Sequence, residues 1–303
     1  MSGEPAGPSD LGGRPSAEPD GVAVLRVSGR DVAHYNWAPR LPLAVSPRPY
    51  LHPVRTLAGC AVTGAQPAGY PHHLGISVAV ENVAGQNFWG GRSYVPGRGP
   101  TWLDNHGRQR HEQWLRRTPT ELHHTLRWTD VHEATLLREE RSIECRPVDE
   151  TAWALAVGTR LCNATDHPLT LRSPASYGRI GAGFGGVFWQ GPVASAPARV
   201  FSPAGTDYAA IHGHTADWLA VTPRDETETW SMVFLAGDED TADDKWFVRF
   251  RHYVGIGSSL SWETPLVLAP GESITRRVSA VVMDGIVSAE RAAGLAGVIR
   301  AGA

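Results

Sequence analysis

Three neighbouring stretches decide the fold class: Leu122-His-His-Thr-Leu-Arg-Trp128, Ala134-Thr-Leu-Leu-Arg-Glu-Glu-Arg-Ser-Ile-Glu144 and Trp153-Ala-Leu-Ala-Val-Gly-Thr-Arg-Leu-Cys162. Each is short and mixes apolar with polar side chains. Each ends in Pro, Gly or polar residues, which reads as strands joined by turns. Working outward, Val22 to Val27 and Gly75 to Val80 have the same character on one side. On the other side lie the runs Asp217 to Val221, Trp230 to Leu235, Trp246 to Tyr253, Leu260 to Leu266 and Ser273 to Val282. Short strands in this succession, with no helical period between them, predict an all-β chain folded as an antiparallel β-sandwich and argue against βαβ units. The 33 Gly and 23 Pro among 303 residues argue equally against long helical bundles. One helix is expected, from Ser288 to Arg300. There a Ser start precedes Ala292, Leu295, Val298 and Ile299 at helical spacing, and the helix is placed on the edge of the sandwich.

Residues 1–21 hold little besides Gly, Pro, Ser, Ala and acids, with a single Leu, so they are read as a disordered tail. Residues 22–303 are read as a single β-sandwich domain that includes the C-terminal helix. The formal net charge is −3 and no basic block occurs, so no nucleic-acid partner is expected. No apolar run reaches the length of a membrane span, and the start does not resemble a signal peptide, which predicts a cytoplasmic protein without a membrane partner. The three cysteines, Cys60, Cys145 and Cys162, lack CxxC spacing and fit a reducing compartment better than a disulfide framework or a thiolate zinc site. Lys245 is the only lysine among 28 basic residues, so a Schiff-base mechanism would have to use it. The 13 His are where acid–base or metal chemistry is to be sought. No cofactor and no metal is assigned from the sequence.

Four groups could carry chemistry. In Tyr70-Pro-His72-His73-Leu-Gly75, extended backbone would send the two imidazoles to opposite sides, and only a bend would let both converge. The alternative is a loop in which one ring satisfies buried carbonyls and the other faces water. His106 and His111 are placed in a polar loop near Gly107, while His123 and His124 read as a strand with one ring exposed. The third group joins Tyr177 and Arg179 to the Gly-rich run Gly181 to Trp189. That run opens no helix and is therefore no phosphate cradle, though its aromatics suit a sugar-stacking wall or a packed loop. In the fourth, alternation puts Lys245, Phe247 and Arg249 on one strand face and Trp246 and Val248 on the other. Arg249 would then pair with a carboxylate such as Glu81 or Glu140, or hold a ligand oxygen.

Several of these segments occur together in order: Arg48-Pro-Tyr-Leu-His-Pro-Val-Arg55, Pro71-His-His-Leu-Gly75, Gly85-Gln-Asn-Phe-Trp-Gly90, Gly181 to Gly191, Trp246-Phe-Val-Arg249 and Leu266-Val-Leu-Ala-Pro-Gly-Glu-Ser273. As an ordered set they resemble the soluble family labelled "methane oxygenase PmoA". Leu161 to Leu171, and His73 and Gly75 followed by Phe88-Trp89, look like parts of the aldose mutarotase-like supersandwiches. The resemblance implies a galactose mutarotase-like supersandwich and a sugar-related role, with a sugar oxidoreductase in the same pathway. The late-strand Glu that serves mutarotases as base has no counterpart here, and Asn87 stands where PmoA-family members often carry Asp.

Two functions are open on this basis. One is a carbohydrate-active enzyme, a lyase, epimerase or hydrolase acting on a sugar, keto-sugar or glycoside. Its catalytic residues would be His72, His73 and His111, with Trp89, Tyr177, Arg179 and Arg249 binding the small-molecule carbohydrate. The other is a sugar-binding sandwich that uses the same Trp and Arg residues without catalysis.

Overall fold

The computed structural model describes residues 20–192, 198–224, 229–250 and 253–302. Residues 1–19 of the expected tail lie outside the described residues. Two large antiparallel sheets carry the chain. The first has seven strands in the spatial order Val22–Val27, Arg30–Asn36, Tyr50–Val54, Ile76–Ala79, Gly186–Gln190, Val254–Ser259 and Lys245–Phe250. The second has eight: Ala198–Phe201, Leu219–Pro223, Trp230–Ala236, Ser273–Asp284, Ala152–Asn163, Thr135–Pro147, Glu121–Thr129 and Arg108–Arg117. This is the antiparallel all-β sandwich expected. Two smaller sheets complete it, Leu266–Leu268 with Leu169–Arg172 and Asn82–Val83, and the ribbon Ser93–Val95 with Gly99–Thr101.

The period of two explains where the core sits. Ile76, Val78 and Val80 from the first sheet meet Trp153, Leu155 and Val157, Met232 and Phe234, and Val278, Ala280 and Val282 from the second in one apolar cluster. Its indoles are tied down at their polar ends. Trp153 donates to the Arg55 carbonyl at 2.9 Å, Trp189 to that of Val62 at 2.8 Å, and Trp128 to the Glu139 carboxylate at 2.7 Å. Glu139 is itself buried with Arg141, at 2.8 Å, and also accepts from the Thr159 hydroxyl.

The alternate residues of the second sheet, Ala152 and Ala154, Val233 and Leu235, Val281 and Met283, form an apolar outer face. The C-terminal helix, Ala289–Ala301, covers it with Ala292, Leu295, Ala296 and Ile299, and Ser288 caps it by accepting from the Arg291 N–H at 3.1 Å. The helix therefore packs on a sheet face and not on an edge, because that face needs cover; Val298, expected on its buried side, is exposed. Two one-turn helices, Tyr208–Ile211 and Glu239–Ala242, accompany it. Three strand expectations shift. The run Trp246 to Tyr253 ends at Phe250, and the next strand is Val254–Ser259, whose glycines hid it. Between that strand and Leu266–Leu268, the expected strand from Leu260 is a loop through Pro265. His111 lies within the strand Arg108–Arg117, not in a loop; as an edge strand it is polar on both faces and shows no alternation. No helix of the described residues is long and apolar enough to cross a membrane.

Candidate functional site

The outer face of the seven-stranded sheet is covered by no long helix among the described residues, only bordered by the one-turn helix Tyr208–Ile211 beside Arg249, and carries polar groups among aromatic rings. Ser77 and Ala79 point to this side, and Glu81, two residues past the strand end, continues the alternation. Phe188 and Gln190, and Phe247 and Arg249, do the same from neighbouring strands. On the strand between those, Gly255 leaves room for them: a Cβ there would lie 2.8 Å from both Phe188 and Tyr253.

Pro71 and His72 form a turn closed by the His73 N–H donating to the Tyr70 carbonyl at 3.0 Å. The bend brings the two imidazoles together, 4.7 Å apart and nearly perpendicular. His73 is 2 % exposed, stacks on Tyr70 at 5.0 Å, and meets Tyr253 and Phe188 edge-on. Its Nδ1 lies 2.8 Å from Gln190 Oε1 while Gln190 Nε2 donates to the Gly191 carbonyl, so His73 donates from Nδ1. Among the described residues the ring nitrogens of His72 make no hydrogen bond. Burial, helped by the charge on Arg48, pulls His72 down to about 4. Burial first, then the neighbouring His72, pulls His73 down to about 3. Both rings are therefore neutral at pH 7, because burial disfavours their charged forms.

Arg48 organises this turn from beneath. It is buried without a carboxylate partner among the described residues, and burial lowers its pKa to about 9. It donates to the carbonyls of Val45, Ser46, Trp89 and His72 and to the Ser77 hydroxyl, which pins the His72 turn to the Trp89 loop.

The second polar centre is Glu81, which is 2 % exposed and was not singled out as a site residue from the sequence. It accepts from the Tyr177 hydroxyl and, at 2.8 Å, from the Tyr94 N–H. Burial raises its pKa, opposed by these two hydrogen bonds and by the charge on Arg179, whose side chain is exposed nearby. The loop from Asn87 to Tyr94 joins this centre to the histidines. Asn87 Oδ1 accepts from the Trp89 and Gly90 N–H groups, and His106 Nε2 donates to the Gly91 carbonyl at 2.7 Å.

A chain of rings leads across the face to Arg249. Trp89 lies 4.6 Å from Phe184, Phe184 5.5 Å from Phe247, and the Arg249 guanidinium 4.4 Å above Phe247. The alternation read from Lys245 to Arg249 is as expected, but Arg249 pairs with neither Glu81 nor Glu140. It donates to the carbonyls of Val248 and Gly181 at 2.8 and 3.1 Å and to the Tyr208 hydroxyl. Beside it His212 donates from Nε2 to Gly181 and accepts at Nδ1 from the Val248 N–H, so both its nitrogens are occupied. Trp89 is only 4 % exposed and supports the face from below; the half-buried rings above are Phe184, Tyr70, Tyr253 and Trp262.

The structure thus brings His72, His73, Trp89, Tyr177, Arg179 and Arg249 to one face. His111 is not among them. It sits on the edge strand of the other sheet, 2.9 Å from His124 through their Nδ1 atoms and packed against Trp37 and Trp114. His124 is the buried member of the His123–His124 pair, and His123 faces Glu140 at 3.7 Å, as the strand reading required. Among the described residues no three His, Cys, Asp or Glu side chains gather as metal ligands. The sequence signal that would have found Glu81 is the alternation from Ile76 to Glu81, which sets it opposite Val78 and Val80.

Comparison with known proteins gives the following. The structure is similar to that of an aldose 1-epimerase candidate from Escherichia coli K12, with a TM-score of 0.46 and 10% identity, covering 87% of this chain and 99% of that one. For an aldose 1-epimerase candidate from Klebsiella pneumoniae the TM-score is 0.31 at 12% identity, and the match covers 59% of this chain but only 54% of that one. For the alpha-galactosidase from Lactobacillus brevis it is 0.37 at 8%, covering 63% of this chain and 30% of the galactosidase. No curated protein matches the sequence. The likeness to the PmoA-labelled family rests on the sequence motifs alone. The family that is matched, over residues 23–297, is the family of unknown function DUF6807, and the chain belongs to it.

Proposed function

We propose that the outer face of the seven-stranded sheet is a carbohydrate-binding cleft and that the protein is an acid–base enzyme acting on a sugar or keto-sugar. The observation that carries this reading is His72, a neutral imidazole whose nitrogens are left without protein partners beside a wall of half-buried rings. The other two histidines on the face already have nitrogens committed to Gln190 and to Gly181 and Val248.

In this reading His72 takes the proton from a carbon next to a sugar carbonyl. Arg179 holds the oxygen that gains negative charge. The Glu81–Tyr177 pair, whose carboxyl burial raises above its ordinary pKa, returns a proton to the opposite side of the sugar for epimerisation, or to a departing glycosidic oxygen for elimination. Phe184, Tyr70 and Trp262 provide the apolar surface for the sugar ring. His73 and Arg249 position neighbouring groups, and His111 takes no part. A sugar oxidoreductase that supplies a keto-sugar would fit this chemistry as a partner in the same pathway.

The test is turnover of free and 3-keto glycosides by the purified protein, each with and without a chelator. His72→Ala should lower turnover by about a hundredfold, the usual worth of a general base, whereas His123→Ala should change it little. Sugar binding with no turnover of any member of the panel would leave the non-catalytic reading, which the committed nitrogens of His73 and His212 favour.

A further inference from the structure

A second site lies outside this cleft. A cavity of about 430 Å3 opens between the segment following the strand Arg30–Asn36 and the start of the strand Arg108–Arg117. Trp37, Arg40, Leu41, Arg108, Arg110 and His111 line it. Arg108 and Arg110 share one carboxylate, Glu133, at 2.8 and 3.2 Å, and Arg40 is exposed and makes no ion pair among the described residues. Arg108 and Arg110 alternate with the inward-facing Gln109 and His111 and are held by Glu133, so Arg40 is the wall's cation without an ion pair among the described residues.

The protonation of His111 follows from the hydrogen bonds behind it. The Tyr35 hydroxyl receives a hydrogen bond from Arg141 at 3.3 Å and lies 2.8 Å from His124 Nε2. Burial raises Tyr35 to about 12, so it keeps its own hydrogen, and His124 Nε2 is the acceptor that remains for it. His124 must then carry its hydrogen on Nδ1 and donate to His111 Nδ1 at 2.9 Å. That leaves His111 with its hydrogen on Nε2, a donor with no protein acceptor among the described residues. Gln109 has the only side-chain oxygen among the residues lining the cavity, and that oxygen already accepts from Arg141 at 3.0 Å. Every free polar side-chain group of the cavity is a donor.

The geometry points to an oxyanion-binding site here, for a small molecule with a carboxylate or phosphate group held by Arg40 and His111 Nε2 and flanked by the Trp37 ring. The guanidinium fork of Arg40 matches both anions, and the wall has no free side-chain acceptor for the hydroxyls of a neutral polyol. This site does not depend on the carbohydrate reading of the cleft.

Calorimetric titration of the full chain at low salt with inorganic phosphate, acetate and glucose tests it. Saturable binding of phosphate or of acetate, and none of glucose, is expected, and whichever anion binds tells which group the ligand carries. Arg40→Ala, at an exposed position where folding is not at risk, should weaken that binding at least fivefold, and Tyr35→Phe should weaken it by releasing the histidine tautomers. His72→Ala should leave it unchanged. Absence of binding by both anions, or equal affinity in wild type and Arg40→Ala, overturns the proposal.

Discussion

The imidazole of His72 rests on the backbone of Gly91: a Cβ built on Gly91 would lie 2.8 Å from Cε1 and 2.9 Å from Nδ1 of that ring. Gly91 also has a φ of +70°, and Gly97, six residues on, has a φ of +76° with nothing within 4 Å of such a Cβ. Alanine at either position therefore costs about 1–2 kcal/mol of backbone strain, but only Gly91→Ala displaces His72. The two variants should lose similar amounts of stability in urea. Turnover should fall by tenfold or more in Gly91→Ala alone, since a shift of about 1 Å in a reacting group is enough for that. Equal activities would remove His72 from the proposed chemistry.

Glu81 and Tyr177 make a second pair to separate. Glu81→Gln keeps one oxygen, enough for the Tyr94 N–H, places an NH2 where the Tyr177 hydroxyl found its acceptor, and can no longer cycle a proton. Sugar affinity should stay within a few-fold of wild type, with kcat down by about a hundredfold or more. If kcat is unchanged, the carboxylate merely anchors the Tyr94 ribbon.

Acid should destabilise the fold from pH 6.5 downward. His73 and His124 are held to about 3 and about 2 by burial, so they stay neutral in the folded chain and become charged in the unfolded one near the ordinary 6.5. The stability they contribute is complete above pH 6.5 and is lost as pH falls below it, at up to about 1.4 kcal/mol per pH unit for each ring. Asp244, raised to about 6 by burial, binds its proton in the folded state first and offsets part of this. Urea midpoints measured at pH 7 and pH 5 should therefore drop, and His124→Gln should flatten the drop. A midpoint that stays level would contradict the buried neutral histidines.

Much of the fold was legible because half-buried strands advertise themselves by alternation, as Trp153 to Cys162 does, with Leu155, Val157 and Leu161 turned to the core. The strands that escaped reading had a physical reason to be silent. Arg108–Arg117 is an edge strand whose charges protect it from pairing, and Val254–Ser259 spends two of its outward positions on glycine to admit rings from its neighbours. For the site, Pro71 marked the bend that joins His72 to His73. What linear spacing could not convey was distance between segments: His111 shares a face with His124 and Trp37, and Glu81 meets Tyr177 across 96 positions of sequence.

Removing one member of the buried Glu139–Arg141 pair should be among the costliest substitutions in the chain. Side-chain exposure is 2 % for Arg141 and zero for Glu139, and the carboxylate also receives Trp128 and Thr159. Arg141→Met leaves that carboxylate buried without its cation, at a cost of about 3–5 kcal/mol. Joint replacement, Glu139→Leu with Arg141→Met, removes both charges and should recover a large part of the loss. Urea unfolding of the three variants decides it, and a double variant as unstable as the sum of its parts would show that the pair does not act as a unit.

Arg249→Lys separates a structural guanidinium from one that grips substrate. The planar fork reaches the Gly181 and Val248 carbonyls together and lies over Phe247, which a lysine ammonium on a flexible stem does not reproduce. Gly181 belongs to the loop that follows Tyr177 and Arg179 and is held at the same carbonyl by His212. Loss of about 1–2 kcal/mol in hydrogen bonding is expected, which thermal unfolding should register as a Tm lower by several degrees, with sugar affinity retained to within a few-fold. A near-wild-type Tm with binding abolished would move Arg249 from the scaffold of the cleft into its floor, where its guanidinium would meet the sugar directly.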